Sequence, residues 1–388
     1  MTPDAVHDDD VRQPAAEELA SKQARLGGFL DRHGLSAVLL WRRANFAWIT
    51  CGHENRIPDN EETGVAGILA TRDRRLCIAD AIEAPRMRDE ELAGTGIEVV
   101  EFPWHDAPSA ARRVGELLGD MGLPPEKVAA DVSRPALGFA PLPQDFAELR
   151  WALTEAEAGR YREGAALASG AMEQAVEAVE PGMDEQEISA LLSASVRAAG
   201  LLPNVNLIAT DERIFRFRHP IATGKKLERY AMLVTCASFG GLISSLTRFV
   251  HFGEVPEELA RKQQAVADVD AAVNFATRPG RTLGEIFADL QQAYAQAGFA
   301  EEWKLHHQGG PTGYANRERV ATPGDATAVL DFQAFAWNPS ITGAKSEDTI
   351  LVTPDGLEIL TGHSDDWPTI TGRSEEGEMP RARCLVRS

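Results

Sequence analysis

The sequence predicts an α+β chain of two domains: an α/β domain over residues 22–150 and a second domain over 151–366 built on an internal repeat. Three observations predict it. Short apolar runs alternate with helix-like stretches through the first third. A Pro-rich patch, SRPALGFAPLPQD at 133–145, interrupts that alternation and marks a boundary. The second half then states one helix-and-strand pattern twice.

In the first domain a helix-like SKQARLGGFLDRHG ends at Gly34 and is followed by the apolar run LSAVLLW. Strand signals follow in NFAWIT, GVAGILAT and RRLCIAD, then a charged helix around EAPRMRDEELAG, then the strand IEVVEF. Residues 1–21 and 367–388 are polar and read as tails. The second domain opens on a capping box, Thr154 with Glu157, whose helix stops before Pro181 and Gly182.

The repeat is read from two ordered matches. PGMDEQEISALLSASVRAAG (181–200) and PGRTLGEIFADLQQAYAQAG (279–298) both run from Pro-Gly through a capping box to Ala-Gly. Downstream, GGLISSLTRF and TGAKSEDTILV align at one offset of 102 positions, pairing Gly241 with Gly343, Ser244 with Ser346, Thr247 with Thr349 and Val250 with Val352. At that offset Ser245 stands where the second copy has Glu347. A duplicated unit folded about a pseudo-twofold axis brings equivalent strands together, with a site between them.

Composition excludes some partners. With 59 acidic and 39 basic residues the net charge is −20, which disfavours nucleic acid and anionic membrane surfaces. Cys51, Cys77, Cys236 and Cys384 form no CxxC pair, which fits a reducing compartment. No signal-peptide pattern opens the sequence and no apolar run reaches membrane-span length, so a cytoplasmic location is expected.

The order of these motifs resembles the pita-bread fold family of methionine aminopeptidase, prolidase, aminopeptidase P and creatinase. The resemblance covers about residues 22–365 and includes LRWALTEAEAGRY…VEPGMDEQEI, RFRHPIATGKKLERY, HHQGGPTGY and KSEDTILVT. The first domain resembles that of creatinase and aminopeptidase P, and this implies a homodimer in which that domain covers the partner's cleft. In the family's metallopeptidases two Asp, one His and two Glu hold a pair of metal ions. Carried over, the His falls on His307 and the last Glu on Glu347; Gln333 in LDFQAF takes the first Glu, Ser245 the second Asp, and the neighbourhood of Cys236 the first Asp. Ser and Gln are neutral and bind hard divalent ions weakly.

The resemblance therefore implies a creatinase-like hydrolase that needs no metal or cofactor and cleaves a C–N bond (amide, amidine or guanidine) of a small polar molecule. His219, in FRHPIA, matches the family's catalytic histidine and is the expected proton shuttle. Glu347 is expected to fix substrate or water, or to act as an acid if burial raises its pKa. Of His306 and His307, one is expected at the site and one in the core, with the glycines of HHQGG letting backbone approach a ligand. Tyr314 is a candidate donor where the peptidases have a second histidine. Gln333, Ser245 and Cys236 complete the substrate contacts, Cys236 also as a less favoured nucleophile. Arg56, beside Asn55, is either a carboxylate clamp or an exposed loop arginine. Two other readings stand: an Xaa-Pro-type metallopeptidase with its ligands misregistered, and an inactive pita-bread binding module. Lyase or cyclase chemistry is also compatible with the sequence.

Overall fold

The computed structural model describes residues 16–106, 108–133 and 138–388. The chain divides into two compact units, Met1–Arg150 with Thr154–Glu157, and Trp151–Leu153 with Ala158–Ser388. Residues 1–15 of the expected tail, and 134–137 of the Pro-rich patch, lie outside the described residues. From Ala16 the chain is already in a helix that runs to His33.

The first unit is built on a mixed sheet of β1 (Ala37–Arg42), β2 (Thr63–Thr71), β3 (Arg75–Asp80), β4 (Glu98–Phe102), β5 (Val128–Ala130) and β6 (Ala140–Pro141), in the order β4-β3-β2-β1-β5-β6. Strand β1 pairs antiparallel with β2 and parallel with β5. Five of its six residues are buried, so it reads as a continuous apolar run without alternation. The helix Ser109–Asp120 sets Val114 and Leu118 against Leu39, Trp41, Leu69 and Ile78. NFAWIT, read as a strand, lies instead in the helix Arg43–Ile49. A short apolar run has no period that separates the two states. Both edges of β1 are already paired, and coiling buries Phe46, Trp48 and Ile49 together.

The second unit holds the repeat. One four-stranded sheet contains β7 (Leu202–Thr210), β8 (Tyr230–Phe239) and β9 (Leu242–Phe252); another contains β10 (Gly309–Thr312), β11 (Gln333–Trp337), β14 (Asp348–Thr353) and β15 (Gly356–Ile359). Short β12 (Ser340–Ile341) and β13 (Ala344–Lys345) form a hairpin between β11 and β14. The helices Glu185–Ala198 and Leu283–Gln296 both start on complete capping boxes, Asp184 with Glu187 and Thr282 with Glu285. Each packs on its own sheet. Ile188, Leu192 and Val196 join Leu233 and Leu246 in one core, while Ile286, Phe287 and Leu290 join Phe335 and Ile350 in the other.

The two copies meet where β9 faces β14. Ser245 N donates to Thr349 Oγ1 at 2.8 Å, and Thr247 Oγ1 donates to Glu347 Oε2 at 2.7 Å. The repeat equates Ser245 with Glu347 and Thr247 with Thr349, so the two residue pairs correspond, although the atoms that bond differ.

The stretch 367–388 is not a tail. It forms the hairpin β16 (Thr369–Ser374) and β17 (Gly377–Ala382), then β18 (Leu385–Arg387), which pairs parallel with β9. Its Arg381 is 1% exposed and lies between Asp270 and Asp348 at 2.6 and 2.7 Å. A buried arginine inside a charged segment reads as solvated until its distant partners are known.

Candidate active site

Glu347 precedes β14 and is 3% exposed. Both of its carboxylate oxygens are engaged. Oε2 accepts from Lys345 Nζ at 2.6 Å and Thr247 Oγ1 at 2.7 Å, and Oε1 accepts from Arg317 Nη2 at 3.0 Å. Burial pushes its pKa up, but Lys345 and then Arg317 outweigh that and hold it down at about 2. The expected acid is therefore a fixed anion between two protein cations.

Arg317 follows β10 on a loop braced by Ile243 N, which donates to Gly313 O at 2.8 Å, and by Thr312 Oγ1, which donates to Asn316 O. Its Nη1 reaches Ser245 Oγ at 3.3 Å. Ser245 is paired with Cys236 across the β8–β9 hairpin and donates to Cys236 Sγ at 3.3 Å. Burial, then the charge of Glu347, pushes the Cys236 thiol up, so this sulfur is a poor nucleophile.

The ladder between β11 and β14 pairs Gln333 with Val352 and Trp337 with Asp348. Ser346 N donates to Pro339 O, which continues the register and sets Asn338 opposite Glu347. Gln333 is five residues away along the strand, about 16 Å, and its Oε1 accepts from Leu330 N. Gln333 is therefore not beside Glu347; Asn338 is, and it is 2% exposed with an Oδ1 that has no hydrogen-bond partner among the described residues.

His219 lies in the loop after the helix Glu212–Arg216, and His306 and His307 lead into β10. Arg218 ties the two segments together, donating to Glu302 at 2.5 Å and to Thr342 Oγ1 at 3.1 Å. His219 Nε2 and His306 Nε2 are 2.9 Å apart, and His306 Nδ1 is 3.4 Å from Ser340 Oγ. Both histidines of the pair lie near His219, with ring centroids at 4.8 and 5.5 Å, and they differ in burial: His306 is buried and His307 exposed. All three rings are held neutral. Desolvation followed by Lys345 lowers His219 and takes His306 down to about 2; desolvation followed by Arg317 takes His307 to about 4.

The remaining candidates have partners of their own. The glycines after His307 accommodate protein: a Cβ on Gly309 would lie 2.1 Å from Ala336 O, and one on Gly310 2.5 Å from Arg319 O. Tyr314 is buried, and its hydroxyl accepts from Arg160 at 3.1 Å. Arg56 lies in the first unit, where it pairs with Glu54 and Asp59. Asn55 is fully buried and donates to Trp41 O and Ala66 O, a structural role. Arg317, Lys345 and Asn338 were missed because nothing local marks them as converging.

The model of metallopeptidase family M24 matches residues 159–354, half of the chain. The chain belongs to this family. Among curated relatives, an uncharacterized peptidase of Staphylococcus aureus is 24% identical over 226 residues, 55% of this chain and 63% of the relative. The agropine synthesis cyclase of Rhizobium rhizogenes is 27% identical over 212 residues, 47% of this chain and 52% of the cyclase. The chain thus spans less than two thirds of either relative's length. The Xaa-Pro dipeptidase of Bacillus anthracis superposes with a TM-score of 0.74 at 20% identity, over 95% of this chain and 99% of that one, which establishes the shared fold.

The donor set of this M24 chain does not suit a carboxylate-bridged pair of metal ions. Cys236, Ser245 and Asn338 are neutral, and the one carboxylate, Glu347, is bound on both oxygens by protein cations. An Arg317 guanidinium spans Ser245 and Glu347 and puts a fixed positive charge between those two positions, which opposes a cation there.

Proposed function

We propose that this M24 protein is a creatinase-like hydrolase of a C–N bond in a small polar molecule, and that its chemistry runs without metal. The contact that supports this most directly is His219 Nε2 to His306 Nε2 at 2.9 Å, beside a carboxylate neutralised from within. Neutral His219 takes a proton from water as the water attacks the carbon, and returns it to the leaving nitrogen. His306 shares that proton across the short contact. Arg317 and Lys345 bias the site towards developing negative charge, the task two metal ions perform in a metallopeptidase. Glu347 holds those cations in place, and Asn338 Oδ1 offers an acceptor to a substrate N–H.

The test is an assay of chelated protein against amides, amidines and guanidines. Turnover that survives chelation and is lost in His219→Ala supports the reading. Two ions per chain whose removal abolishes turnover would overturn it. Ring closure by the same groups is a second reading, favoured by the likeness to the agropine synthesis cyclase; products distinguish the two. We further propose a homodimer, as the resemblance implies, which light scattering would reject by giving the mass of one chain.

A further inference from the structure

Among the described residues, His219, His306 and His307 are the group whose ligand atoms converge closely enough for a metal ion, all within 4.8 Å of one another. The cluster shares His307 with the five carried-over metal-ligand positions but includes none of Cys236, Ser245, Gln333 and Glu347, and it contributes three neutral nitrogen donors with no carboxylate. We propose that His219, His306 and His307 form a mononuclear site for a borderline divalent ion such as Zn(II) or Co(II), and that filling it inhibits the enzyme.

The geometry supports a nitrogen-only site. Imidazoles on a tetrahedral ion at 2.0–2.1 Å place their nitrogens about 3.3 Å apart. His219 and His306 Nε2, at 2.9 Å, are already near that spacing. His307 is exposed and has room to close the remaining distance. When His306 gives its Nε2 lone pair to the ion, its proton moves to Nδ1, which faces Ser340 Oγ at 3.4 Å. That hydroxyl then orients the ligating ring, as outer partners of metal-bound histidines do. Arg218, through Glu302 and Thr342, fixes the backbone on either side.

Inhibition follows from the lone pairs. The 2.9 Å contact is a hydrogen bond only while one Nε2 carries a proton and the other accepts it. A metal ion needs both lone pairs and so displaces that proton. The ion and the proton relay therefore compete for the same two atoms. Lys345 and Arg317 lie close enough to lower the pKa of these rings, and they oppose a dication. The affinity is accordingly moderate, and harder ions such as Mg(II), which prefer oxygen, are excluded.

The test uses full-length protein freed of metal, titrated with ZnCl2 by calorimetry and with CoCl2 by visible absorption. One ion per chain, with affinity at least tenfold weaker in both His306→Asn and His307→Asn, and still one ion per chain, held somewhat more weakly, in Glu347→Gln, is the expected result. No binding at millimolar Zn(II), binding unchanged in both histidine variants, or two ions lost in Glu347→Gln would overturn the site. The inhibition arm rests on His219 as proton shuttle, whereas the binding arm does not. Binding without inhibition would overturn the inhibitory role and count against the shuttle, while inhibition without binding to the histidines would overturn the site and leave the shuttle standing.

Discussion

His219 and Glu347 were both marked as catalytic by their positions, but their surroundings divide the work. His219 is neutral and in contact with a second imidazole. His219→Ala is expected to lower kcat by about 10²–10⁴ with little change in KM, because a general base acts on the barrier. Steady-state kinetics on the true substrate checks this; near-normal kcat would leave His219 only a structural part. Glu347→Gln differs. It leaves Arg317 and Lys345, 11% and 6% exposed, without their counter-ion. A stability loss of about 3–5 kcal/mol is expected by urea denaturation. His306 gives a pH signature. Its pKa is about 2 in the folded protein against 6.5 in the open chain, so between these values the unfolded state binds the extra proton. Stability should therefore fall as pH drops below 6.5, by up to about 1.4 kcal/mol per unit for one proton. In His306→Asn the stability difference between pH 6 and pH 5 should shrink by that amount.

At the scale of elements, β10 depends on a backbone that only glycine allows. Gly309 has φ 94°, and a Cβ there would meet Ala336 O of β11. Gly309→Ala is expected to cost more than about 3 kcal/mol, among the larger single-residue effects. Gly253, with φ 81° and nothing within 4 Å of a Cβ, gives the comparison. There alanine should cost only the backbone term of about 1–2 kcal/mol. Equal losses at the two positions would show that β10 tolerates the shift. The β8–β9 hairpin closes on Gly240 and Gly241 at φ 52° and 78°, a two-residue turn whose twist suits the strands and sets Cys236 against Ser245.

At the scale of the second unit as a whole, the C-terminal hairpin is part of the core behind the site. Arg381 bridges Asp270, on the helix Glu257–Ala276, and Asp348, next to Glu347; Asp348 also receives Arg248 at 2.9 Å. Arg381→Met should destabilise by about 3–5 kcal/mol, because two buried carboxylates lose a shared counter-ion. Thermal or urea unfolding reads it directly. A change under 1 kcal/mol would mean that Arg248 alone balances Asp348.

Much of this was legible in order and spacing. The capping boxes, the Pro-Gly stops and the 102-residue offset are local or periodic signals, and they define the duplicated helix-and-strand unit before any contact is known. That the strand pair β8–β9 sets a thiol and a hydroxyl, Cys236 and Ser245, and no carboxylate, at this point was likewise readable in residue types. Three things were decided only by tertiary structure. NFAWIT coils because its neighbours in the sheet were already taken. That Asn338, and not Gln333, stands opposite Glu347 follows from ladder register, which a count along the chain does not determine. Glu347 is an anion held at low pKa because Arg317, 30 residues before it, folds back across Ser245 to meet it. Electrostatics at a buried site depends on distances through space, and a sequence orders its residues only along the chain.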